Sequence, residues 1–360
     1  MLEFINEELA NLKKAGLYRE LHVVDQRTHK IFCSNDYLGL SQHPKVKAAA
    51  RAAIEEFGFG AGAARLISGN TALHEELEKK FARFEKREAA IVFPTGYMAN
   101  LGAITALVDE NDTVIIDRLD HASIVDACRL SKAKLQVYPH KDMTVLKKIL
   151  EKAGKFRRRL IVTDTVFSMD GDLAPLAALS ALAKEHDAIL MTDDAHATGV
   201  LELNNPADIV MGTLSKAVGS VGGFVAGSAE LIDYLRNKAR SFIYTTALPP
   251  AACAASLAAL EIIEREPSLR EKLWNNIGYF GTRYLVPGTR NSPIIPLIIG
   301  DAEKTMRLSA QLFERGLFVS GIRPPTVPNG ESRLRITISA THSKEDIECL
   351  ASSLRELIPA

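Results

Sequence analysis

The sequence has little cysteine and no excess of charge of either sign. Its four cysteines lie far apart and form no Cys-x-x-Cys pair, at Cys33, Cys128, Cys253 and Cys349. A disulfide framework or a zinc site is therefore not expected, and reduced thiols fit better. Lysine plus arginine and aspartate plus glutamate number 44 each, so the formal net charge is zero. This balance argues against a dedicated nucleic-acid or membrane-surface protein.

Long apolar runs are missing as well. No stretch approaches the roughly 18 consecutive apolar residues that a bilayer span needs. The N-terminal segment "MLEFINEELANLKKAG" has the pattern of an amphipathic helix and lacks the uninterrupted apolar core of a signal peptide. Hydrophobic residues make up 47% and charged residues 24%, which is ordinary for a globular protein. We therefore expect a soluble cytoplasmic protein without a membrane partner.

The middle of the chain alternates between two periodicities. Apolar residues at helical spacing predict helices over 71–88 and 175–187. Between and around them, short apolar runs predict buried strands at 89–96, 112–119, 159–168, 188–196, 208–215 and 222–228. Strands that alternate with helices predict an α/β fold, with a mostly parallel sheet covered on both faces.

From about residue 241 the pattern changes. A long helix over 249–267 precedes two apolar strands, at 293–300 and 332–339. This order predicts a smaller α+β domain. We therefore divide the chain into three parts, namely an N-terminal helix and arm (1–45), a large α/β domain (46–240) and a C-terminal α+β domain (241–360).

Polar residues close or follow five of the predicted strands. They are Thr95-Gly96-Tyr97, His121, Ser168, Asp193 with His196, and Thr213 with Lys216. In an open α/β sheet, ligands bind beyond the carboxyl ends of the strands. Five such ends are much less expected by chance than any one alone, so they predict a binding site at this edge.

Lys216 lies among small residues in "TLSKAVGSVGG", directly after an apolar run. A lone lysine there more often begins a helix, but a partly desolvated lysine can also form a Schiff base. Asp193, in "ILMTDDAH", is costly to bury unless it meets a cation, such as the protonated ring nitrogen of pyridoxal phosphate (PLP). Alternation along the strand turns Asp193 and Asp194 to opposite faces. His196 could reach the phenolic oxygen of the ring, and we expect no metal site because no further histidine or cysteine completes one.

Four further patterns are weaker when taken singly. "PTGYMAN" (94–100) places Thr95 and a glycine before a helix, which suits a phosphate. "GFGAGAA" (58–64) matches a dinucleotide fingerprint, but it follows a helix instead of a strand, so a loop near a substrate is the better interpretation. His121 is either an ordinary satisfied histidine or a ring stacked on a cofactor. Arg335 suits an amino-acid carboxylate, and the alternative is an exposed strand residue paired with Glu331.

Together these patterns resemble the α-oxoamine synthases, which are PLP enzymes of the aspartate-aminotransferase fold. The resemblance runs from about residue 10 to the C-terminus. It implies PLP fold type I, with a large, mostly parallel seven-stranded sheet domain, a smaller α+β C-terminal domain, and a homodimer with shared active sites. The motifs that carry it are "SNDYLGL" (34–40), "TGYMAN" (95–100), "DRLDHASIVDACRLSKA" (117–133), "VFSMDGDLAPL" (166–176), "DDAHATGV" (193–200), "GTLSKAVG" (212–219) and "IRPPTVPNGESRLRITIS" (322–339).

The resemblance also implies roles on the cofactor side. Lys216 would form an imine with PLP and move protons at the substrate Cα. Asp193 would pair with the ring nitrogen, His196 with the phenolic oxygen, and His121 would stack over the ring. The remaining cofactor contacts would be Thr95, Gly96, Tyr97, Ser168 and Thr213, with Thr245 or Thr246 reaching a phosphate across the dimer interface.

On the substrate side, the resemblance implies that Arg335 binds the carboxylate of the amino acid. Arg19 and Thr326 match positions that bind the acyl substrate, and Asn35 would border the pocket together with His121. The implied reaction is a decarboxylative condensation of L-alanine with a pimeloyl thioester, carried either by CoA or by a carrier protein.

Two other activities stay open. A sister activity, glycine C-acetyltransferase, shares the fold, although "TGYMAN" and "DDAHATG" resemble it less. The family also usually has a longer loop with Gly-Arg-Gly after "DDAHATGVL", whereas here "LELNNP" (201–206) leads straight to "ADIVMGTLSK". The missing loop leaves a PLP-binding protein without turnover as a further alternative.

Overall fold

A computed structural model describes residues 2–21, 23–25, 27–284 and 291–358 of the 360-residue chain. The helices are α1 Phe4–Lys14, α2 Pro44–Phe57, α3 Ala72–Phe84, α4 Gly96–Leu107, α5 Ala122–Ser131, α6 Met143–Glu151, α7 Leu176–Glu185, α8 Ala229–Lys238, α9 Arg240–Ile243, α10 Pro250–Arg265, α11 Pro267–Arg283, α12 Ala302–Glu314 and α13 Lys344–Leu357. The strands are β1 Lys30–Ile31, β2 Ala89–Phe93, β3 Thr113–Asp117, β4 Lys134–Tyr138, β5 Arg159–Asp164, β6 Ile189–Asp193, β7 Ile209–Thr213, β8 Gly223–Gly227, β9 Ile294–Gly300, β10 Leu317–Phe318, β11 Ser320–Ile322 and β12 Ser332–Thr337.

The chain divides into two compact units, and their limits differ from the predicted boundaries. The larger unit is Asn35–Trp274, and the smaller combines Met1–Ser34 with Asn275–Ala360. The predicted boundary at 240/241 is too early because α10 packs against α2 and α3 of the larger unit. The predicted boundary at 45/46 is too late because α2 and the turn before it also belong to that unit. The arm that carries β1 belongs to the smaller unit, since β1 pairs with β10.

The larger unit is built on a seven-stranded sheet within residues 35–274, all of which the structure describes. The strand order is β2-β8-β7-β6-β5-β3-β4. Only β8 is antiparallel to its neighbours, β2 and β7, so the other six strands run in one direction. The predicted α/β fold with a mostly parallel seven-stranded sheet is confirmed.

Helices cover both faces of this sheet because side chains alternate along the strands. On one face, Val114 and Val162 pack with residues of α4, α5 and α8. On the other face, Ile115 and Ile161 pack with residues of α6 and α7. Each fully buried aliphatic side chain contributes about 1.5–3 kcal/mol, so the two layers fix the positions of the strand ends.

The smaller unit holds an antiparallel sheet in the order β11-β12-β9, with α12 packed against it. All six residues of β12 are buried. None of the helices in the described part of the chain combines the length and the apolar character that a bilayer span requires.

Candidate active site

A cavity of about 210 Å³ opens at the carboxyl edge of the seven-stranded sheet. The strands deliver its side chains one by one, since Asp193 ends β6, Thr213 ends β7, and Lys216 follows three residues later. The predicted residues that line this cavity together are Thr95, Gly96, Tyr97, His121, Ser168, Asp193, His196, Thr213 and Lys216. The fold therefore brings together the five strand ends that the sequence indicated.

Lys216 belongs to a hydrogen-bonded row of side chains. Its Nζ atom is 2.8 Å from Nε2 of His196. The other ring nitrogen of His196, Nδ1, is 2.6 Å from the hydroxyl oxygen of Tyr37, which also lies 3.1 Å from Oδ1 of Asn35. Tyr37 is completely buried and Lys216 is half-buried. The partly desolvated amine that a Schiff-base lysine requires is thus present.

Asp193 and Asp194 face different surroundings, as alternation along β6 predicted. Asp193 lines the cavity and accepts hydrogen bonds from Asn100 Nδ2 at 2.7 Å and from the Ala195 amide at 2.9 Å. Asp194 instead accepts hydrogen bonds from the Thr165 hydroxyl and from the side-chain amide of Asn205, which lies in the connection after β6. The sequence did not identify Asn100 as a site residue, because it lies on α4, 93 residues before its partner Asp193.

Asp164 is a second buried carboxyl group at this edge. It accepts a hydrogen bond from the backbone N–H of His121 at 2.9 Å, and it also lines the cavity. Burial, followed by the charges of Asp193 and Asp120, raises the pKa of Asp164 well above its usual range. Burial lowers the pKa of His121, with Asp193 opposing and Lys216 adding to that effect.

The first turn of α4 also borders the cavity. Thr95 caps this helix by accepting from the Met98 amide at 3.1 Å. A Cβ atom added at Gly223 would lie 2.6 Å from Gly96 Cα, so the sheet meets the helix N-terminus without a side chain between them. The Tyr97 hydroxyl donates a hydrogen bond to Asp126, and this bond raises the pKa of Tyr97. A helix N-terminus of this kind attracts phosphate groups.

Ser168 reaches the cavity from a tight turn after β5, whereas the sequence predicted it as the last residue of a strand over 159–168; the strand ends at Asp164. The turn is closed by the bridge between Val166 and Leu173. His140 holds it from outside, with Nδ1 3.0 Å from Asp117 and Nε2 2.9 Å from Asp172. Burial alone would lower the pKa of His140, but hydrogen bonds to these two carboxylates raise it to about 9.

Two predicted cofactor residues lie elsewhere. Thr245 and Thr246 follow α9, one half-buried and one exposed, and neither is among the described residues that line the cavity. Their predicted role across a dimer interface stays a prediction.

The predicted substrate residues Arg19, Thr326 and Arg335 belong to the smaller unit. Arg19 and Thr326 line a cavity of about 640 Å³ there. Arg335 is buried in β12, and its alternative interpretation is wrong, because it is not exposed and Glu331 pairs with Arg333 at 3.1 Å instead.

The short connection between β6 and β7 is well anchored. Asn205 donates to Thr192 at 2.7 Å and to Asp194 at 2.9 Å. Arg87 donates to the carbonyl oxygens of Asn205 and Ala207. The connection is therefore tied to β6 through Thr192 and to Asp194, the residue just after β6. Near "GFGAGAA" the preceding element is the helix α2, so the dinucleotide fingerprint lacks its strand here.

The class of protein follows from this fold and site together with the comparisons. Residues 30–354 match the family model for aminotransferase class I and II. The serine palmitoyltransferase of Sphingomonas wittichii has a similar fold, with a TM-score of 0.91, 30% sequence identity, and 99% of this chain and 98% of that chain covered. An SPT structure with a PLP internal aldimine gives a TM-score of 0.90 at 30% identity, with the same coverage. The chain therefore belongs to this family of PLP-dependent enzymes, fold type I, and PLP is its cofactor.

Two curated relatives narrow the class, and both are 8-amino-7-oxononanoate synthases. The protein of Thermoanaerobacter pseudethanolicus is 45% identical over 382 positions, covering 99% of this chain and 97% of the relative. That of Geobacter metallireducens is 48% identical over 368 positions, covering 95% and 94%. The resemblance inferred from the motifs is confirmed, and these relatives are PLP-dependent acyltransferases. The first alignment is longer than this chain, so that relative has segments that this chain lacks.

The residues of the 210 Å³ cavity fit PLP. Lys216 offers an amine for covalent attachment, and Asp193 offers a buried carboxylate for the ring nitrogen. The first turn of α4 offers a binding site for the phosphate. The missing side chain at Gly223 lets the sheet approach the first turn of α4 closely, since a Cβ atom there would lie 2.6 Å from Gly96 Cα.

Proposed function

We propose that this enzyme condenses L-alanine with a pimeloyl thioester in biotin biosynthesis, giving 8-amino-7-oxononanoate, carbon dioxide and free thiol. The observation that carries the proposal is the joint opening of Lys216 and Asp193 into one cavity, in a chain whose curated relatives bear this product in their name. The carbon skeleton supports the pair of substrates. Alanine without its carboxylate supplies the amine and two carbons, and the pimeloyl group supplies the other seven carbons of the nine-carbon product.

When bound, PLP supplies a ring that delocalises the electron pair left behind when a bond to the amino-acid Cα breaks. The side chains prepare this chemistry. Asp193 would keep the ring nitrogen protonated, and Asn100 and the Ala195 amide hold that carboxylate in place. Lys216 would hold the cofactor covalently and then, once released, remove the proton from Cα of alanine. His121 would cover the ring from the start of α5.

The bond changes balance without any further reactant. The Cα of alanine forms a bond to the carbonyl carbon of the thioester, and the thiol leaves. The bond between Cα and the alanine carboxylate carbon then breaks, and carbon dioxide leaves. A proton returned to Cα, which we assign to Lys216, completes the product.

The acyl substrate would use the second cavity. A pimeloyl group ends in a carboxylate, for which Arg19 and Arg323 in the lining of the 640 Å³ cavity offer cations. Thr326 lines the same cavity and adds a hydroxyl group. Arg335, buried in β12, would bind the carboxylate of alanine as a fork.

Thiol release tests the proposal directly. The purified enzyme loaded with PLP is incubated with alanine plus pimeloyl-CoA, glycine plus acetyl-CoA, or serine plus palmitoyl-CoA, and free thiol is followed by colour reaction. We expect release with the first pair and none in the Lys216→Ala variant. Greater release with either other pair would assign a different acyl transfer, and none with any pair would favour the PLP-binding protein without turnover. A pimeloyl carrier protein in place of the CoA thioester distinguishes the two donors.

The homodimer with shared active sites stays a prediction, as does a cytoplasmic location. Subunit mixing tests the first. A dimer of one Lys216→Ala chain and one chain with Thr245→Val and Thr246→Val regains one intact site only if these threonines act in the partner's site. No recovery on mixing would place them in the site of their own chain or outside it.

A further inference from the structure

A row of three hydrogen bonds links Asp193 to His121 within the larger unit. The side-chain amide of Asn100, which is buried, donates one hydrogen to Oδ2 of Asp193 at 2.7 Å and the other to Oγ of Ser123 at 2.9 Å. Oγ of Ser123 lies 2.8 Å from Nδ1 of His121. All four side chains line the 210 Å³ cavity. The carboxylate proposed for the ring nitrogen and the imidazole proposed to cover the ring therefore belong to one network.

The start of α5 decides the direction of the bond between Ser123 and His121. His121 is the N-cap residue of this helix, and its Nδ1 accepts the backbone N–H of Ser123 at 3.2 Å. A backbone amide can only donate, so Nδ1 carries a lone pair and no proton. The Ser123 hydroxyl accepts from Asn100 and therefore directs its own hydrogen to the same lone pair.

The opposite assignment does not satisfy these contacts. A proton on Nδ1 of His121 would face the Ser123 N–H group, and the amide and hydroxyl hydrogens of Ser123 would then have no acceptor within the part of the chain that the structure describes. Ser123 is only 1% exposed, so leaving both hydrogens unpaired is unfavourable. A doubly protonated ring fails for the same reason. The proton of His121 therefore lies on Nε2, and the ring is neutral.

We infer that Ser123 is a positioning residue that keeps His121 neutral, with Nδ1 as an acceptor, so that its ring can stack on PLP. The inference rests on the proposed place of His121 over the cofactor ring, and it adds Ser123 to that site. Asp193 would keep the nitrogen of the bound ring protonated, so that nitrogen carries a positive charge. A neutral imidazole stacks on such a ring without charge repulsion, whereas an imidazolium would repel it.

The surroundings of His121 act on its charge in opposite directions. Charged or titratable side chains lie near it on neighbouring elements, namely Asp126, Asp164, Asp193 and Lys216. Burial lowers the pKa of His121, the charge of Asp193 raises it, that of Lys216 lowers it, and that of Asp126 raises it. Two carboxylates thus favour the imidazolium. The Ser123 hydroxyl opposes them, because a hydrogen bond donated to Nδ1 exists only in the neutral form of the ring.

Nitrogen-15 NMR of cofactor-free protein labelled at histidine tests the protonation state without any turnover. In the natural protein we expect His121 to show an unprotonated Nδ1 and a protonated Nε2. In Ser123→Ala the pKa of His121 should rise, so that its acid dissociation constant falls by about 3- to 10-fold, as expected when one neutral hydrogen bond is lost.

Ser131→Ala is the matched control, because Ser131 is a buried serine at the other end of α5 whose hydroxyl donates to the Cys128 carbonyl. The titration of His121 should not change in this variant. A protonated Nδ1 in the natural protein, or an unchanged titration in Ser123→Ala, would overturn the inference. The first of these observations needs no variant, so it decides the matter even if Ser123→Ala folds poorly.

The pH dependence of cofactor binding supplies a second readout. If PLP binds the neutral form of His121, protonation of the ring competes with binding. The Kd for PLP, measured by absorbance titration, should be the same in Ser123→Ala and the natural protein at pH 8. As the pH falls to 5, the ratio of the two Kd values should rise toward about 3- to 10-fold, the change expected in the acid dissociation constant.

The same ratio for Ser131→Ala should stay near one at every pH. A ratio for Ser123→Ala that does not change with pH would overturn the inference and leave Ser123 with a structural role only. Failure of the thiol assay with both of these results intact would reject the proposed substrates alone.

Discussion

Asp164 and Asp193 lie opposite each other, in register, on the neighbouring parallel strands β5 and β6. Both carboxyl groups are buried, and both line the same cavity. Two adjacent buried carboxyl groups cannot both be ionised at low cost, so one retains its proton. Burial, followed by the charges of Asp193 and Asp120, raises the pKa of Asp164 well above its usual range, so Asp164 holds its proton to higher pH than an exposed aspartate does.

Replacing Asp164 with asparagine tests the raised pKa of Asp164. A carboxyl group whose pKa is raised in the folded state loses stability as the pH rises above its unfolded value of about 3.9. The side-chain amide of asparagine does not titrate in this range, so Asp164→Asn has no such loss of stability. We therefore expect the free energy of unfolding of Asp164→Asn to gain on that of the natural protein as the pH rises from 4 to 8, measured by urea titration. Asp164→Ala should lose about 1–3 kcal/mol, because the His121 amide loses its acceptor. Parallel pH curves for Asp164→Asn and the natural protein would contradict the assignment.

His140 gives the opposite pH dependence. Its pKa is raised to about 9 in the folded protein, so its stabilising effect is complete below the unfolded value of about 6.5 and disappears as the pH rises through 9. In His140→Gln we expect the free energy of unfolding at pH 6 to fall by about 1–2 kcal/mol, allowing for solvent screening at this half-buried site. The difference from the natural protein should vanish near pH 10. His29→Gln, which changes a histidine of the smaller unit, serves as the control, and a pH-independent difference for His140→Gln would count against the ion pairs.

The contact between Gly219 and Ser41 predicts that alanine at position 219 is not tolerated. Its φ of +70° is unfavourable for alanine, and the Cβ atom would meet backbone at 2.3 Å. We expect a loss of about 2–4 kcal/mol in unfolding free energy, combining the left-handed conformation with overpacking. Gly154→Ala is the matched control, because an added Cβ there meets nothing within 4 Å. Equal melting curves for the two variants would show that Gly219 and Ser41 are not in contact.

The stability of the short connection between β6 and β7 depends on Asn205. In Asn205→Ala we expect a loss of about 1–3 kcal/mol, since buried Asp194 loses an amide donor. Asn204→Ala, at the exposed neighbouring position, should change the unfolding free energy by less than about 0.5 kcal/mol. Chemical denaturation of both variants checks this. If they are equally stable, the anchor that replaces the family's longer loop lies elsewhere.

The sequence was sufficient for the parts of the site that follow apolar runs. Lys216, Asp193 and His121 were recognisable because each lies at the end of a buried strand or within four residues after it, and parallel strands bring their ends to one edge. The edge strand β4 was missed, since only one of its five residues is buried and it lacks a continuous apolar run.

Partners distant in sequence could not be predicted. Nothing near Asn100 indicates that it contacts Asp193, and nothing near Tyr37 indicates that its hydroxyl meets His196, 159 residues later. These pairs form only when α4 and the turn before α2 dock on the sheet. The domain boundary at residue 240 failed for the same reason, because the packing of α10 on α2 is a tertiary contact without a local signal.

Chemical trapping of the cofactor tests the central claim, that Lys216 carries PLP at this strand edge, most directly. The PLP-loaded protein is reduced with borohydride and digested, and the peptides are analysed by mass spectrometry beside the absorbance spectrum of the intact protein. The expected result is a pyridoxyl-phosphate adduct on the peptide containing Lys216 and on no other lysine, with the visible absorbance band absent in Lys216→Ala. An adduct on a different lysine, or a band that persists in Lys216→Ala, would contradict the account.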